Sequence, residues 1–363
     1  MSHPLPDHVR CLEVRRDDLA ATRVVDDPAP VLRQGQALLR VERFGLTANN
    51  VTYAVTGDTI GYWRFFPAAQ GWGRVPAWGF AEVVAGDVDG LETGTRVFGY
   101  LPMSTHLLVE PTKVSERGFT DGAAHRAELP APYNSYRRVD ADPLYSPDAE
   151  NLQTLLLPLY MTSFVLEDYL VDNEWFTAEQ VVMSSGSAKT TIGTAMLASR
   201  RVSRPTIIAL TSPHNADLVA SLGCYDDVVT YDELGTLDAE RPTTYVDVAG
   251  DAGLRARVHE LFADTLRHSC AVGMSHWDAP HRAAVTGPRP TFFFAPAQIG
   301  KRVGDWGGEE YQKKLTEAWT FLRDATAPWL DVHERTGIED AEDAYHRLLA
   351  GQVGGREAAV IRP

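Results

Sequence analysis

Apolar and polar positions change rhythm twice along the chain. Over the first hundred residues, short runs such as Gln36-Ala-Leu-Leu-Arg-Val-Glu, Gly79-Phe-Ala-Glu-Val-Val and Thr95-Arg-Val-Phe-Gly-Tyr are broken by Asp87, Asp89-Gly90 and Gly94. Short β-like runs between turn formers predict a β-rich sandwich or distorted barrel. From about Ser115 to Gln153 the periodicity fades into Pro, Asn, Asp, Tyr and Arg. A long aperiodic stretch in a compact protein predicts a functional loop or inserted lid running over the surface.

A different rhythm begins at Gln180. Apolar runs at Gln180–Ser185, Thr206–Leu210, Asp227–Tyr231, Thr243–Ala249, Ser269–Met274 and Thr291–Ala295 alternate with helix-length stretches such as Thr190–Arg200 and Asn215–Leu222. Continuous apolar strands alternating with helices predict parallel strands buried on both faces, so the fold class is α/β with a six-stranded doubly wound sheet. An amphipathic stretch at Tyr311–Leu322, a helix at Ile338–Leu349 after Gly337, and a strand at Ala358–Arg362 follow.

Composition narrows the function classes. With 363 residues, 44% hydrophobic and 23% charged, the chain has room for two domains and reads as globular. A formal charge of -15 sets it against nucleic acid and anionic membranes as partners. The only cysteines, Cys11, Cys224 and Cys270, form no CxxC pair and too small a set for a disulfide framework, which fits a cytoplasmic protein. No apolar leader is visible at the start, and no run approaches about 18 uninterrupted apolar residues, so no membrane span is expected.

In a doubly wound sheet the ligand lies beyond the carboxyl ends of the strands, which directs attention to Met183-Ser-Ser-Gly-Ser-Ala-Lys-Thr-Thr-Ile-Gly193. Small residues admit a pyrophosphate close to the backbone, and a helix N-terminus offers free amides. Ser185, Gly186, Ser187, Lys189 and Thr190 are therefore the candidate cofactor-binding residues. The pattern departs from G-x-G-x-x-G, because its middle glycine is missing, and from the phosphate-binding P-loop, because Ala188 precedes Lys189. A turn into a helix that binds nothing has the same composition. The second strand ends in Thr211 and Ser212, with Asn215 close behind, where a free ribose 2′-hydroxyl would call for Asp or Glu. Hydroxyls there favour NADP over NAD, although Thr-Ser-Pro also serves as a turn and helix cap.

The order of these pieces resembles the medium-chain dehydrogenase/reductase superfamily. Phe44-Gly-Leu-Thr-Ala-Asn-Asn is similar to its strand into the catalytic cleft, Pro76-Ala-Trp-Gly-Phe-Ala-Glu-Val-Val-Ala-Gly86 to its P-x-x-x-G segment, and Gly94-Thr-Arg-Val-Phe-Gly99 to its G-d-x-V turn. Leu157-Pro-Leu-Tyr-Met-Thr-Ser-Phe164 is similar to its lead-in to the cofactor domain, and Ala341 to Gly351 to its closing helix. The combination of Thr47-Ala-Asn-Asn-Val-Thr-Tyr, Ser275-His-Trp-Asp and Phe292-Phe-Phe-Ala-Pro resembles an uncharacterised bacterial branch of that superfamily, a domain of unknown function. The resemblance implies a GroES-like β-rich catalytic domain at 1–158 plus 328–363, with 115–153 as an irregular insertion, and a Rossmann-type cofactor-binding domain at 159–327. It also implies a homodimer.

Zinc-dependent members of that superfamily carry a Cys and a His-Glu pair where Thr47, Ala48, Phe80 and Ala81 stand here, and three cysteines cannot build the four-Cys structural lobe. No metal is expected. Reduction without a Lewis acid needs hydrogen-bond donors for the developing oxyanion and a proton source. By resemblance to the zinc-free quinone and enoyl-thioester reductases these are Asn50, with Tyr53 or Tyr62. Each also fits a structural role, as a turn former or a packed ring. His276, with Asp278 nearby, follows the fifth strand and is a further acid/base candidate. The aromatic-rich segment Trp63, Phe65, Phe66, Trp72 and Trp78 fits either a wall for an apolar substrate or plain packing. Arg126, Tyr133, Asn134 and Arg137 could recognise a carboxylate or pair with surface acids.

The expectation is a zinc-independent NADP(H)-dependent oxidoreductase moving a hydride to a carbonyl or activated C=C of a small molecule. Two alternatives stand beside it: a hydrolase or carbon–carbon lyase on the same fold, and a nucleotide or small-molecule binding module without turnover.

Overall fold

The computed structural model describes residues 6–272 and 286–363, which form two compact units. One comprises the chain up to Leu155 together with Trp329–Pro363, and the other is Leu156–Pro328.

In the first unit, the three runs singled out by pattern form the adjacent antiparallel strands Ala37–Leu46, Pro76–Gly86 and Arg96–Pro102 of a nine-stranded sheet. The terminal strand Glu357–Arg362 pairs with Ala37–Leu46, and it carries a parallel neighbour, Asp331–Thr336, that periodicity did not reveal. A smaller sheet joins Thr22–Pro28, His8–Arg15 and Trp72–Gly73. Leu39, Val41, Phe44, Ala81 and Val83 fill the core between strands, and Ile338, Ala341, Ala344 and Tyr345 add the buried stripe of the helix Ile338–Leu349.

The stretch 115–153 corrects the expectation of a surface excursion. Gly118–Asp121 and Ser135–Arg138 are strands of the large sheet, the latter paired with Arg96–Pro102, and Phe119 and Tyr136 stack in the interior with ring centroids 5.0 Å apart. Four-residue strands are too short to register as a period, which is why the sequence reads as loop.

In the second unit all six strands pair in parallel in the spatial order Asp227–Thr230, Thr206–Thr211, Gln180–Met183, Thr243–Asp247, Leu266–Val272, Thr291–Phe293. Numbered along the chain from Gln180, this is 3-2-1-4-5-6, the doubly wound order. Gln180–Met183 and Thr243–Asp247 are buried at every position, which accounts for their continuous apolar and threonine character. The helix Lys189–Ser199 crosses close to the helix Glu150–Asp172: a Cβ at Gly193 would lie 2.6 Å from Ser163 Oγ and 2.8 Å from Tyr160. Gly193 therefore serves helix packing. The segment Pro147–Asp172 is long and apolar enough to cross a membrane by length and composition, and 67% of its most apolar window is buried within the protein.

Between that helix and the first parallel strand, Glu174, Trp175, Phe176 and Thr177 all have left-handed backbones, with φ of 51° to 57°. A run of four non-glycine residues there costs about 1–2 kcal/mol per residue. Trp175 is buried with its carbonyl accepting from Thr244 Oγ1 at 3.1 Å, and Phe176 stacks on the His268 ring at 3.7 Å, so packing holds the turn. Thr177 is β-branched and exposed, and its side chain contributes strain with little packing in return. Thr177→Gly is expected to stabilise the protein by about 1 kcal/mol, read as a rise of about 2 °C in the thermal midpoint. A lower midpoint would show that the Thr177 side chain supports the turn.

Candidate functional site

The crevice of a 3-2-1-4-5-6 sheet opens where strand order reverses, here between Gln180–Met183 and Thr243–Asp247. Ser184 and Asp247 close its floor. Ser184 Oγ donates to Asp247 Oδ1 at 3.1 Å and accepts from the amides of Val248 and Ala249, both at 2.9 Å. Asp247 Oδ1 also accepts from Gly250 N at 2.9 Å, and Oδ2 from Arg255 Nε at 2.7 Å. Both side chains are buried, so the loop after the fourth strand is held by a closed polar network.

Above that floor runs the loop predicted to hold a cofactor. Ser185 has a left-handed backbone, φ 52°, and its amide donates to the Tyr231 hydroxyl at 3.2 Å. Gly186 lies against the second strand, where a Cβ would meet the Ala209 Cβ at 2.8 Å, and its carbonyl accepts from the Tyr225 hydroxyl at 2.9 Å. Only glycine fits that approach. Ser187 and Thr190 are half-buried, and the helix Lys189–Ser199 begins without a side-chain cap, leaving the first-turn amides the donors that an anion at this end would use. Burial brings the Lys189 ammonium down to about 8 by penalising its charge. At the end of the second strand, Thr211 Oγ1 is buried with no hydrogen-bond partner, and Asn215 Nδ2 donates to Ser212 Oγ at 3.1 Å. The structure thus gathers Ser185, Gly186, Ser187, Lys189, Thr190, Thr211, Ser212 and Asn215 at the carboxyl edge of one sheet. An orphaned hydroxyl, a cradle that excludes a Cβ and an uncapped helix start fit a dinucleotide phosphate.

The catalytic candidates belong to the other unit, apart from His276, which lies outside the described residues with its neighbours Ser275, Trp277 and Asp278. Asn50 is committed locally. Its Oδ1 accepts from Thr47 N at 2.8 Å and its Nδ2 donates to Pro76 O at 2.8 Å, so this buried amide caps the helix Ala48–Val55 and ties it to the sheet. Asn49, which sequence reasoning passed over, is half-buried and lies against the Tyr53 hydroxyl. Tyr53 and Tyr62 do meet, with ring centroids 4.6 Å apart, in a cluster completed by Phe65, Trp78, Tyr100 and Tyr133. Burial pushes the hydroxyls of Tyr53, Tyr62, Tyr100 and Tyr133 upward, so all four stay neutral donors across the physiological range. The 5.0 Å contact of Trp78 with Tyr100 joins residues from adjacent strands, and no local spacing in the sequence signals it.

The carboxylate-recognition group from 115–153 is occupied otherwise. Arg126 is buried, 3.2 Å from Asp121 Oδ2, its carbonyl accepts from Asn134 Nδ2 at 3.2 Å, and Arg137 lies 3.5 Å from Asp142. These arginines are structural. Among the described residues, no group of three His, Cys, Asp or Glu side chains is placed to hold a metal ion.

A family profile described as a protein of unknown function (DUF2855) matches residues 44–354. No curated protein matches the chain. Solved structures share its fold along nearly the whole length. A putative NADPH:quinone reductase from Mesorhizobium loti is 12% identical with a TM-score of 0.62, covering 99% of this chain and 100% of that one. CurA from Vibrio vulnificus, solved in complex with NADPH, is 13% identical with a TM-score of 0.61, covering 97% and 98%. A quinone oxidoreductase from Coxiella burnetii is 15% identical with a TM-score of 0.58, covering 98% and 99%.

Proposed function

The chain belongs to the DUF2855 family of proteins of unknown function, and from the chemistry of its two sites we propose that it is an NADPH-dependent, zinc-independent reductase of carbonyl or activated C=C compounds. The carrying observation is the switch-point loop: Gly186 packed against the second strand, Lys189 at the helix start, and hydroxyls in place of a carboxylate at Thr211 and Ser212. A 2′-phosphate would meet no like charge at those two side chains, which supports NADPH over NADH. The fold shared with a putative NADPH:quinone reductase, and with CurA solved in complex with NADPH, supports the same reading.

A bound nicotinamide supplies the hydride. The protein's part is binding and charge stabilisation. The first-turn amides and Lys189 hold the phosphates, Ser184 and Asp247 keep the neighbouring loop in place, and the tyrosine cluster offers neutral O–H donors to a developing oxyanion. Tyr62 is the half-exposed member of the pair Tyr53 and Tyr62 and is the donor that a substrate can reach, while Tyr53 is buried and accepts from Trp78 Nε1 at 3.3 Å.

Anaerobic titration with NADPH and NADH tests this, followed by loss of reduced-nicotinamide absorbance on adding aldehydes, enones and other carbonyl acceptors. NADPH is expected to bind more tightly. Because burial holds the Lys189 ammonium at about 8 and a phosphate would raise that value, affinity should hold below pH 8 and fall above it. Binding near pH 8 should take up protons, visible as buffer-dependent calorimetric heats, and Lys189→Met should abolish that dependence. No binding of either nucleotide at millimolar concentration would overturn the reading and favour a non-redox enzyme. Binding without turnover would favour a nucleotide-binding module.

A further inference from the structure

We propose that the tyrosine cluster of the β-rich unit is a recognition site for a neutral, planar carbonyl compound carrying a conjugated ring, with Tyr133 as its specificity-determining wall. The inference rests on the reductase reading above and names the substrate class for it.

Six rings form the site: Tyr53, Tyr62, Phe65, Trp78, Tyr100 and Tyr133. Tyr53, Phe65 and Tyr100 are buried and make a floor, while Tyr62, Trp78 and Tyr133 are half-buried and make a rim. Tyr133 contacts Tyr62, Phe65, Trp78 and Tyr100 at centroid distances of 6.0, 5.4, 5.9 and 4.8 Å. A rim of rings with exposed area left over offers faces and edges to another flat ring, the arrangement that aromatic pairs favour.

The polar atoms point to an acceptor. Four phenol O–H groups and the Trp78 N–H gather there, and their mutual hydrogen bonds are long and few. Trp78 Nε1 donates to Tyr53 Oη at 3.3 Å, and the Tyr62 and Tyr133 hydroxyls are 3.5 Å apart. Tyr100 Oη meets the Tyr53 hydroxyl without regular geometry and is buried with no hydrogen-bond partner. Buried polar hydroxyls seldom stay unpaired in a folded protein. The Tyr100 O–H is left without an acceptor, and an oxygen that accepts, as a carbonyl does, would supply one.

Charge sets the remaining term. The Arg126 guanidinium is 5.9 Å from the Phe65 ring and already faces Asp121, and Arg137 and Arg64 are paired with Asp142 and Glu128. A carboxylate would find no free cation among these six side chains and would lose its hydration. A neutral carbonyl bears no such cost.

The test uses the full-length protein without nucleotide, titrated with acetophenone, cyclohexyl methyl ketone and benzoate while tryptophan fluorescence and calorimetric heat are followed. Acetophenone is expected to bind at least tenfold more tightly than either of the others. Tyr133→Leu should weaken acetophenone at least tenfold and cancel its advantage over the saturated ketone. Tyr133→Phe should keep the ring preference and lose affinity for the carbonyl by a smaller factor. Because Tyr133 is half-buried, thermal melts of both variants confirm folding, and Tyr133→Phe serves as the readout if Tyr133→Leu unfolds. Equal binding of the saturated ketone, preference for benzoate, or unchanged affinities in both variants would overturn the proposal. Acetophenone binding that follows this pattern while NADPH neither binds nor is oxidised would sustain the site and reject the reductase reading.

Discussion

Replacing Arg126 by Met is expected to destabilise the β-rich unit by about 3–5 kcal/mol, because it leaves the buried Asp121 carboxylate without its charged partner. Asp121 Oδ1 retains the amides of Glu110 and Ala123, at 3.0 and 3.1 Å, but Oδ2 loses the guanidinium. The substitution also removes the hydrogen bond from Arg126 NH1 to the Tyr136 hydroxyl at 3.2 Å and a guanidinium stacked 4.7 Å from the Phe66 ring. The loss corresponds to roughly 10 °C in the melt of that unit. The double substitution Asp121→Asn with Arg126→Met should recover a large part of it, since no charge then remains buried and unpaired. Unchanged melting of Arg126→Met would mean that water reaches Asp121 in solution. The consequence extends to the site through Phe65, whose ring lies 5.9 Å from the Arg126 guanidinium and 5.4 Å from the Tyr133 ring, so the variant should also weaken ring binding at the tyrosine cluster.

Asp247→Ala is expected to have the second large effect, on nucleotide binding as well as on stability. Three donors converge on this carboxylate: Ser184 Oγ, Gly250 N and Arg255 Nε. Truncation removes the acceptor they share, from the buried Ser184 hydroxyl and the half-buried Arg255 guanidinium among them, and should cost about 3 kcal/mol. Asp247→Asn keeps an oxygen for Ser184 and Gly250 and gives up the ion pair with Arg255, so it should cost about half as much. Under the reductase reading the Val248–Gly250 loop borders the dinucleotide, and its release in Asp247→Ala should weaken NADPH at least tenfold, with Asp247→Asn in between. Calorimetric melts and NADPH titrations on the two variants check the order. An Asp247→Ala protein with intact stability and affinity would show that the loop holds without the network.

The parts of this molecule legible in the sequence are those whose signal is local. The central parallel strands Thr206–Thr211, Gln180–Met183 and Thr243–Asp247 appear as largely apolar runs because both of their faces are buried. The helix Ile338–Leu349 appears because its buried residues recur at helical spacing. The loop Ser185–Lys189 stands out because small residues between a strand and a helix are a local pattern, and Gly186 lies in the structure where only glycine fits. The strands Gly118–Asp121 and Ser135–Arg138 escaped because four residues carry too little period. Gly193 drew the eye as part of a phosphate loop, while its neighbours, Tyr160 and Ser163, lie thirty or more positions away.

The candidate site divides along the same line. Asn50 and Tyr53 sit within about one helical turn of Asn49, and the sequence marks that segment without distinguishing which amide is committed to the backbone; hydrogen bonds to Thr47 and Pro76 make the distinction for Asn50. The ring cluster draws Tyr53, Trp78, Tyr100 and Tyr133 from four separate stretches, and the Arg126 guanidinium lies against its Phe65 and the adjoining Phe66. Sequence alone determined the two-part architecture, the parallel sheet and the loop at its switch point, because hydrophobic period and turn chemistry act between near neighbours. Tertiary structure alone decided which hydroxyls lack partners, which arginines are spent on buried acids and which rings share a face, because desolvation and pairing depend on atoms brought together from distant parts of the chain.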